Sequence, residues 1–337
     1  MDPDNIFSKY NARELSGHRK KIHTLAWSPN GKRLATGSQD YAIRIWALEP
    51  YHVSKSERAE IELKGHADAV VSLQWRPGHQ ELLASVCASD KDKCVRFWDV
   101  RAGKSSSYVS MPAAGSICLA WSPDGNTLAV GNNSKDSSIT FIDVRKNKIT
   151  KSYSTKYEPR MMIWGPTSSQ LLVATSDGSV DVLSLPDMGR LWALKGHTHT
   201  CYSLALDKEN GILATGGGDA LISIWDLASV VCTGTVTIMD GPVWDLSISK
   251  GGQYMAYSSD SLSNDTTVGA GRGVVDIVSM KTKELITSFS TRSSSGTVAW
   301  NPEYPVLAYA DDRDETDGRT GGSRTTIGVA IVFAPPK

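Results

Sequence analysis

The fold is decided by a unit that runs from residue 17 to residue 46 and reads GHRKKIHTLAWSPNGKRLATGSQDYAIRIW. Apolar and polar residues alternate with a period of two over 22–27, 33–37 and 42–46, which is typical of half-buried strands. Between the first two stretches, Ser28-Pro29-Asn30-Gly31 has the composition of a tight turn. The unit therefore predicts three short strands, and residues 60–63 supply a fourth.

The same unit recurs along the chain. Gly-His pairs at 17–18, 65–66 and 196–197 each precede an apolar residue at the end of a strand, and that residue belongs to a series of seven: Trp27, Trp75, Trp121, Trp164, Leu206, Ile248 and Trp300. Their spacing is close to the ~40–45 residues of one four-stranded propeller blade. We find no amphipathic helical stretch of ten residues. Because an open array would expose strand edges and a closed ring protects them, the sequence predicts an all-β, seven-bladed β-propeller.

The two ends of the chain are expected to meet in one blade. The last unit, residues 296–333, contains three predicted strands instead of four, while the strand-like segment 10–15 has no blade of its own. We therefore expect an N-terminal tail over 1–9 and a propeller over 10–334, closed by the N-terminal strand. The expected blades are approximately 16–64, 65–110, 111–153, 154–195, 196–237, 238–290, and 291–334 plus 10–15.

These residues resemble the WD-repeat propeller family. The resemblance implies a buried hydrogen-bonded quartet of His, Ser or Thr, Asp and Trp within a blade, since buried polar groups need partners. Unit two offers an incomplete set, with either Asp90 or Asp92 as its acid, and units three, four, six and seven lack the quartet. The implied quartet residues are His18, Thr36, Asp40 and Trp46 in unit one, His66 and Trp98 in unit two, and His197, Thr215, Asp219 and Trp225 in unit five.

Longer segments resemble one branch of that family, the WD-repeat subunits of THO complexes. They are residues 18–28, 63–70, 97–104, 141–146 and 298–310. The resemblance implies a nuclear, non-enzymatic scaffold that acts in mRNP assembly during transcription and in mRNA export. Its expected partners are the large scaffold subunits of a THO-like complex, with weak RNA contact inside the assembly. The chain departs from the family at 261–273 and 311–323, which look like inserted polar loops.

A second interpretation of the function of this chain stays open. Trp98-Asp99-Val100-Arg101 matches the Trp-Asp-x-Arg signature of propellers that dock on a cullin-type ubiquitin ligase adaptor. Many propellers carry this tetrapeptide for structural reasons, because Trp-Asp closes the third strand of a blade. We keep a substrate receptor of such a ligase, or another WD-repeat scaffold, as the alternative.

No pattern in the sequence predicts catalysis, a metal or a cofactor. His197-x-His199 is a single pair, whereas zinc needs three or four convergent ligands. The Gly-rich segment 269–273 precedes a predicted strand and lacks the helix start that a phosphate loop requires. The acidic cluster over 311–317 lacks the spacing of an EF-hand loop. We expect no enzymatic activity and no small-molecule substrate.

Composition and charge indicate the expected cellular location and the kinds of partner that are not expected. Thirty-six basic residues balance 36 acidic ones, so strong stand-alone nucleic-acid binding is not expected. The five cysteines form no CxxC pair, which favours reduced, intracellular thiols over a disulfide framework. We see no signal peptide and no apolar run long enough for a membrane span. We therefore expect a nuclear location and no membrane partner.

The candidate partner-binding residues lie on the propeller face that carries the Gly-His pairs. Aligned four positions before the apolar series, the units place His23, Val71, Ile117, Arg160, Tyr202, Trp244 and Gly296 around the central channel. Of these, His23, Arg160, Tyr202 and Trp244 are the candidates, because Arg, Tyr and Trp dominate interface hot spots. The adjacent basic run Arg19, Lys20 and Lys21 completes the predicted surface. A second basic cluster, at Arg145, Lys146, Lys148, Lys151 and Lys156, is expected to be a solvated loop or an RNA contact.

Overall fold

Short strands and tight turns make up the described chain, as a computed structural model shows. The structure describes residues 11–48, 59–134, 136–166, 168–260, 273–291, 296–311 and 325–331, and only the backbone of 11–14, 311 and 325–331. The expected tail 1–9 lies outside these residues, as do nearly all of the inserted loops 261–273 and 311–323, the glycine-rich segment and the acidic cluster. Among the described residues, no helix has the length and apolar character that a membrane span needs.

Six four-stranded antiparallel blades are each formed by consecutive strands, with the first strand of each blade innermost. Blades one to three are β2 (Ile22–Trp27), β3 (Arg33–Ser38), β4 (Ile43–Ala47) and β5 (Ile61–Leu63); β6 (Val70–Trp75), β7 (Leu82–Cys87), β8 (Cys94–Asp99) and β9 (Lys104–Ser110); and β10 (Ser116–Trp121), β11 (Thr127–Asn132), β12 (Ser138–Asp143) and β13 (Lys148–Ser154). Blades four to six are β14 (Pro159–Trp164), β15 (Gln170–Thr175), β16 (Ser179–Ser184) and β17 (Arg190–Lys195); β18 (Cys201–Asp207), β19 (Ile212–Gly217), β20 (Ile222–Asp226) and β21 (Val231–Val236); and β22 (Val243–Ile248), β23 (Tyr254–Asp260), β24 (Gly273–Ser279) and β25 (Leu285–Ser290).

The remaining four-stranded sheet is composite. It joins β26 (Val298–Trp300), β27 (Leu307–Asp311) and β28 (Thr325–Ile331) to β1 (Asn11–His18), which pairs antiparallel with β28 from Asn11↔Ile331 to His18↔Thr325. The blade count expected from the sequence is corrected accordingly: six blades, not seven, are continuous in sequence, and the seventh sheet is shared between the two ends of the described chain. Residues 16–18 belong to β1, so the first continuous blade begins at β2, a few residues after the approximate boundary expected at residue 16.

A ladder of indole hydrogen bonds joins neighbouring sheets. A Trp that ends an innermost strand donates its Nε1–H to the carbonyl oxygen that precedes the equivalent residue of the sheet before it. The donors and acceptors are Trp75 to Ala26 (3.0 Å), Trp121 to Gln74 (3.2 Å), Trp164 to Ala120 (2.9 Å) and Trp27 to Ala299 (3.0 Å). The last of these bonds blade one to the composite sheet, and β2 contacts β26 there. The sheets therefore form a closed ring.

The apolar core lies between adjacent sheets. Ala84 and Val86 of blade two, for example, pack with Leu119, Trp121 and Leu128 of blade three in one buried cluster. Similar clusters fill the other junctions, including one in which Leu15 of β1 packs with residues of blade one. This arrangement leaves the two ends of the channel and the outer strands as surfaces.

The predicted turns have the geometry that their residues favour. Gly31 adopts a φ of 68°, a left-handed conformation that glycine reaches without steric cost, and Gly125 does the same in blade three with a φ of 66°. Inside the first turn, the Ser28 hydroxyl accepts the backbone N–H of Arg33 at 2.9 Å. The turns at this end of the innermost strands are therefore fixed locally.

Candidate partner-binding face

Blades one and five contain complete hydrogen-bonded quartets. In blade one, His18 Nδ1–H donates to Asp40 at 3.0 Å, the Thr36 hydroxyl lies 2.7 Å from His18 Nε2, and Trp46 Nε1–H donates to that hydroxyl at 3.0 Å. Since Asp40 can only accept, Nδ1 carries the imidazole proton and Nε2 accepts from Thr36. Because His18 lies on β1, this quartet also fastens the composite sheet to blade one.

The quartet of blade five repeats this geometry. His197 is 3.0 Å from Asp219 and 2.8 Å from the Thr215 hydroxyl, and Trp225 donates to that hydroxyl at 3.3 Å.

In blade one, burial alone would raise the pKa of Asp40, but hydrogen bonds from His18 and from two backbone N–H groups hold that pKa well below its usual range. The acid of that quartet therefore stays ionised.

Blade two has a quartet that the sequence specified only in part. Ser85 supplies the hydroxyl, at 2.6 Å from His66 Nε2 and 2.8 Å from Trp98 Nε1. Of the two candidate acids, Asp92 accepts from His66 Nδ1–H at 2.7 Å, whereas Asp90 is exposed and pairs with Lys93. Ser85 pairs across the strands with Leu73 as Thr36 pairs with Leu25, but it lies ten residues after Trp75 where Thr36 lies nine after Trp27, so spacing alone pointed only to its neighbourhood.

A cysteine stands beside this quartet. Cys87 Sγ lies 3.0 Å from His66 Nδ1 and donates to the Asp68 carbonyl oxygen at 3.2 Å, so His66, Cys87 and Asp92 offer three metal-ligand atoms within 4.8 Å of one another. The imidazole nitrogen is already committed to Asp92. Burial, with the nearby Asp92 charge, raises the pKa of the Cys87 thiol, which disfavours the thiolate that a metal needs. We interpret the cluster as an extension of the quartet.

The central face is organised by a β-bulge that recurs in the innermost strand of all six continuous blades. In each strand one residue has no cross-strand partner, and the residue before it is buried. The bulged residues are His23, Val71, Ile117, Arg160, Tyr202 and Trp244. A bulge re-aims a side chain out of the regular alternation, so these six positions share one orientation relative to their strands. They are the first six of the seven positions that were selected in the sequence by aligning the repeat units with one another.

Three of these residues and their neighbours form a continuous surface. The rings of Tyr202 and Trp244 lie 4.8 Å apart at 37°, and Trp244 is 36% exposed. Beyond Trp244, a cavity of about 340 Å³ is lined by Lys21, Ile22, His23, Trp244 and Gly296. The structure thus brings together Tyr202 of blade five, Trp244 of blade six, and Lys21 and His23 at blade one, with Gly296 of the composite sheet between the last two blades.

The charge of this surface is basic. Arg19 and Lys20 are exposed, and the Lys20 ammonium stands 5.8 Å from the centre of the Tyr41 ring. Burial and then the charge of Lys21 lower the pKa of His23, so the imidazole is neutral at physiological pH. The basic run and the Tyr202–Trp244 pair together suit a partner that offers apolar and acidic groups.

The other bulged residues lie apart from this cluster of side chains. Arg160 forms an ion pair with Glu158 at 2.8 Å, and its exposure is intermediate. Val71 and Ile117 pack against the buried clusters at their blade junctions. Arg160 is therefore already paired within its own blade, while Val71 and Ile117 pack against the core.

The Trp-Asp-x-Arg tetrapeptide at residues 98–101, on which the ubiquitin-ligase alternative rests, has a structural role. Trp98 belongs to the quartet of blade two, and Asp99 accepts the backbone N–H of Ala102 at 3.0 Å within the turn that follows β8. Arg101 is exposed and lies 4.0 Å from Asp99. The quartet accounts for Trp98, and the turn accounts for Asp99, without a docking function.

Comparison with known proteins agrees with this architecture. The family "WDR19 first beta-propeller" matches residues 71–244, and "WD domain, G-beta repeat" matches residues 10–47. THO complex subunit 3 of Arabidopsis thaliana is 37% identical over 306 residues, which cover 91% of this chain and 91% of that protein. The chain belongs to the WD-repeat family of THO complex subunit 3.

More distant relatives share the repeats. WD repeat-containing protein AAC3 of Dictyostelium discoideum is 27% identical over 332 residues, which cover 92% of this chain and 66% of that protein. Protein FIZZY-RELATED 1 of Arabidopsis thaliana is 27% identical over 222 residues, covering 64% of this chain and 44% of that protein. The match to the THO subunit extends over nearly the whole length of both chains, whereas these matches leave a larger part of the relative uncovered.

Proposed function

We propose that this protein is a non-enzymatic scaffold subunit of a THO-like nuclear complex, which acts in mRNP assembly during transcription and in mRNA export. The observation that carries the proposal is the 37% identity to THO complex subunit 3 over 91% of both chains. The side-chain chemistry is consistent with it: the His, hydroxyl, Asp and Trp side chains of blades one, two and five are hydrogen-bonded to one another and hold the fold.

The proposed partner-binding residues are those of the central face. The aromatic pair Tyr202–Trp244 supplies apolar contact area, and Arg19, Lys20 and Lys21 supply positive charge beside it. Interfaces draw most of their affinity from a few such aromatic and basic residues. His23 and Arg160 extend the face around the channel. We propose that a large scaffold subunit of the complex docks here.

A pull-down tests both parts of the proposal. A tagged full-length chain should recover the large THO subunits at stoichiometric levels from nuclear extract, and Trp244→Ala should reduce that recovery at least about tenfold, as expected for an interface hot spot. The matched control is Leu285→Ala, which removes an exposed apolar side chain from an outer strand. Recovery of only a ubiquitin-ligase adaptor would favour the alternative reading. Equal recovery by Trp244→Ala and wild type would remove the central face from the proposal.

RNA contact is proposed to be weak and dependent on the assembly. Because the chain has zero net charge, the isolated protein should bind single-stranded RNA poorly at about 150 mM salt. A fluorescence-polarisation titration with a labelled oligonucleotide measures this directly. A nanomolar dissociation constant for the isolated chain would contradict the proposal.

A further inference from the structure

An apolar pocket opens on the side of the propeller, between blades three and four. It has a volume of about 290 Å³, and its walls include Phe141, Thr150, Lys151, Tyr153, Trp164 and Leu185. The first four of these belong to β12 and β13, whereas Trp164 ends β14 and Leu185 follows β16. The pocket is therefore built from two blades and lies away from the central face.

The walls of this pocket are fixed by ring packing. Phe141 meets Tyr153 edge-to-face at 6.0 Å and Trp164 edge-to-face at 6.2 Å. The Tyr153 hydroxyl donates to the Pro186 carbonyl oxygen at 2.8 Å, which ties the outer strand of blade three to the loop of blade four. Because these rings are held on both sides, the pocket exists before any ligand arrives.

The dimensions of the pocket limit what it can hold. Its volume lies just below the range of about 300–1,000 Å³ that is usual for small-molecule sites. Aromatic and aliphatic residues form just over half of the wall, and the polar residues Thr127, Thr150, Lys151 and Ser168 form the rest. The pocket therefore suits one apolar side chain, presented by a longer molecule that continues across the surface.

The surroundings of the pocket are positively charged. Residues 144–156 contain five basic residues and no acidic one. Lys146 pairs with Asp143 at 3.6 Å, but within the described part of the chain neither Lys148 nor Lys151 forms an ion pair. On the other side of Tyr153, the groove continues past Lys156. Two acids line it: Asp181, which is paired with Arg190 at 3.0 Å, and the exposed Asp187, so the positive charge lies on the blade-three side of the groove. A chain that crosses this surface therefore gains from carrying carboxylates.

We propose that this lateral pocket binds an extended segment of a partner protein, in which one apolar side chain enters the pocket and flanking Asp or Glu residues face Lys148, Lys151 and Lys156. The pocket is concave, and this shape favours the apolar side chain of a peptide over a base, since a base stacks on a flat aromatic platform. The proposal concerns a second surface and does not depend on the THO assignment.

A peptide-display selection on the full-length chain tests this directly. The probe is a library of random dodecapeptides, and selected peptides are synthesised for affinity measurement. We expect enrichment of one aliphatic or aromatic residue flanked by acidic residues. Failure to enrich any such pattern overturns the proposal.

Two variants and a matched control locate the binding site. Thr150→Trp fills the pocket from an exposed bulge position of β13 and should weaken the selected peptides at least about tenfold, as loss of one buried apolar side chain predicts. Thr233→Trp is the control, because Thr233 occupies the equivalent bulge of β21 and likewise bonds the carbonyl of the neighbouring strand. Lys151→Glu should weaken acidic peptides and reduce the salt dependence of their binding, since Lys148 and Lys156 remain.

Three outcomes would overturn the proposal. The first is equal loss of peptide affinity in Thr150→Trp and Thr233→Trp, which would show a general effect on the outer strands. The second is unchanged affinity in both Thr150→Trp and Lys151→Glu. The third is that a 15-nucleotide oligouridylate binds, loses affinity in Lys151→Glu and displaces no peptide, which would assign the basic strand to RNA.

Discussion

The bridging hydroxyl of the first quartet offers a sharp test of what holds the ring together. Thr36 is fully buried and partners two other buried groups, His18 Nε2 and Trp46 Nε1. Thr36→Val keeps the shape of the side chain but leaves both nitrogens without a partner. Each buried polar group without a partner costs about 1–3 kcal/mol. We therefore expect the free energy of unfolding to fall by about 2–4 kcal/mol, since neighbouring groups relax in part.

Two comparisons separate the hydrogen bonds from packing. Thr36→Ser keeps the hydroxyl and loses one methyl group, so it should cost only about 1 kcal/mol. Thr215→Val in blade five should cost less than Thr36→Val, because the Trp225 bond there is longer, at 3.3 Å, and Trp225 is 8% exposed. Urea denaturation followed by tryptophan fluorescence gives the three values. If Thr36→Val is within about 0.5 kcal/mol of wild type, or Thr36→Ser is the more harmful change, the quartet does not stabilise the fold as argued.

Three further predictions concern the ring and its pH dependence. Trp27→Phe and Trp75→Phe should each lower the unfolding free energy by about 0.5–1.5 kcal/mol through one lost indole hydrogen bond; a neutral Trp27→Phe beside a destabilising Trp75→Phe would show that the bond between blade one and the composite sheet does not form in solution. Deletion of residues 1–15 should lower the melting temperature and cause aggregation, seen by light scattering, whereas deletion of 1–8 should do little; similar melting and solubility of the two would mean that the closing strand lies elsewhere. Burial lowers the pKa of His66, so the folded state binds fewer protons than the unfolded state. The contribution of His66 to stability should therefore be complete above about pH 6.5 and fall as the pH drops below it. His66→Gln should reduce the difference between the urea midpoints measured at pH 7 and pH 5, and an unchanged difference would argue against this role.

The quartets show how far sequence reasoning reaches. In blade one the spacing of His18, Thr36, Asp40 and Trp46 follows the family pattern, and the structure places all four within hydrogen-bond distance. In blade two the turn before β8 is longer, so spacing alone left two candidate acids and no hydroxyl. Only the folded conformation of the turn between β7 and β8, which brings Asp92 within 2.7 Å of His66 Nδ1, could distinguish it from Asp90. Spacing therefore predicts a quartet where loop lengths are regular and fails where one loop changes.

Contacts between blades were harder to predict. The Trp series was visible as a repeat, but its indole hydrogen bonds run between residues more than 40 positions apart, and one of them joins Trp27 to Ala299. The lateral pocket has the same origin, since Phe141 and Leu185 meet only because two blades pack side by side. A period within the sequence reports what each blade repeats, and it carries no information about the side chains that meet at a particular junction.

The recurring bulge explains how one ring can carry side chains of different size and charge at equivalent positions. At a bulged position the side chain leaves the regular alternation, so it is not required to fill the core on either side of the sheet. His23, Arg160, Tyr202 and Trp244 occupy equivalent positions although they differ in size and charge. The residues beside them are far less free: Ile22, Cys201 and Val243, which precede three of these bulges, are fully buried. Changes at these four positions are therefore expected to have less effect on stability than changes one residue earlier, which act on the core, whereas the bulged residues Val71 and Ile117 themselves pack against it. This difference is the physical reason to look for partner contacts at the bulges first.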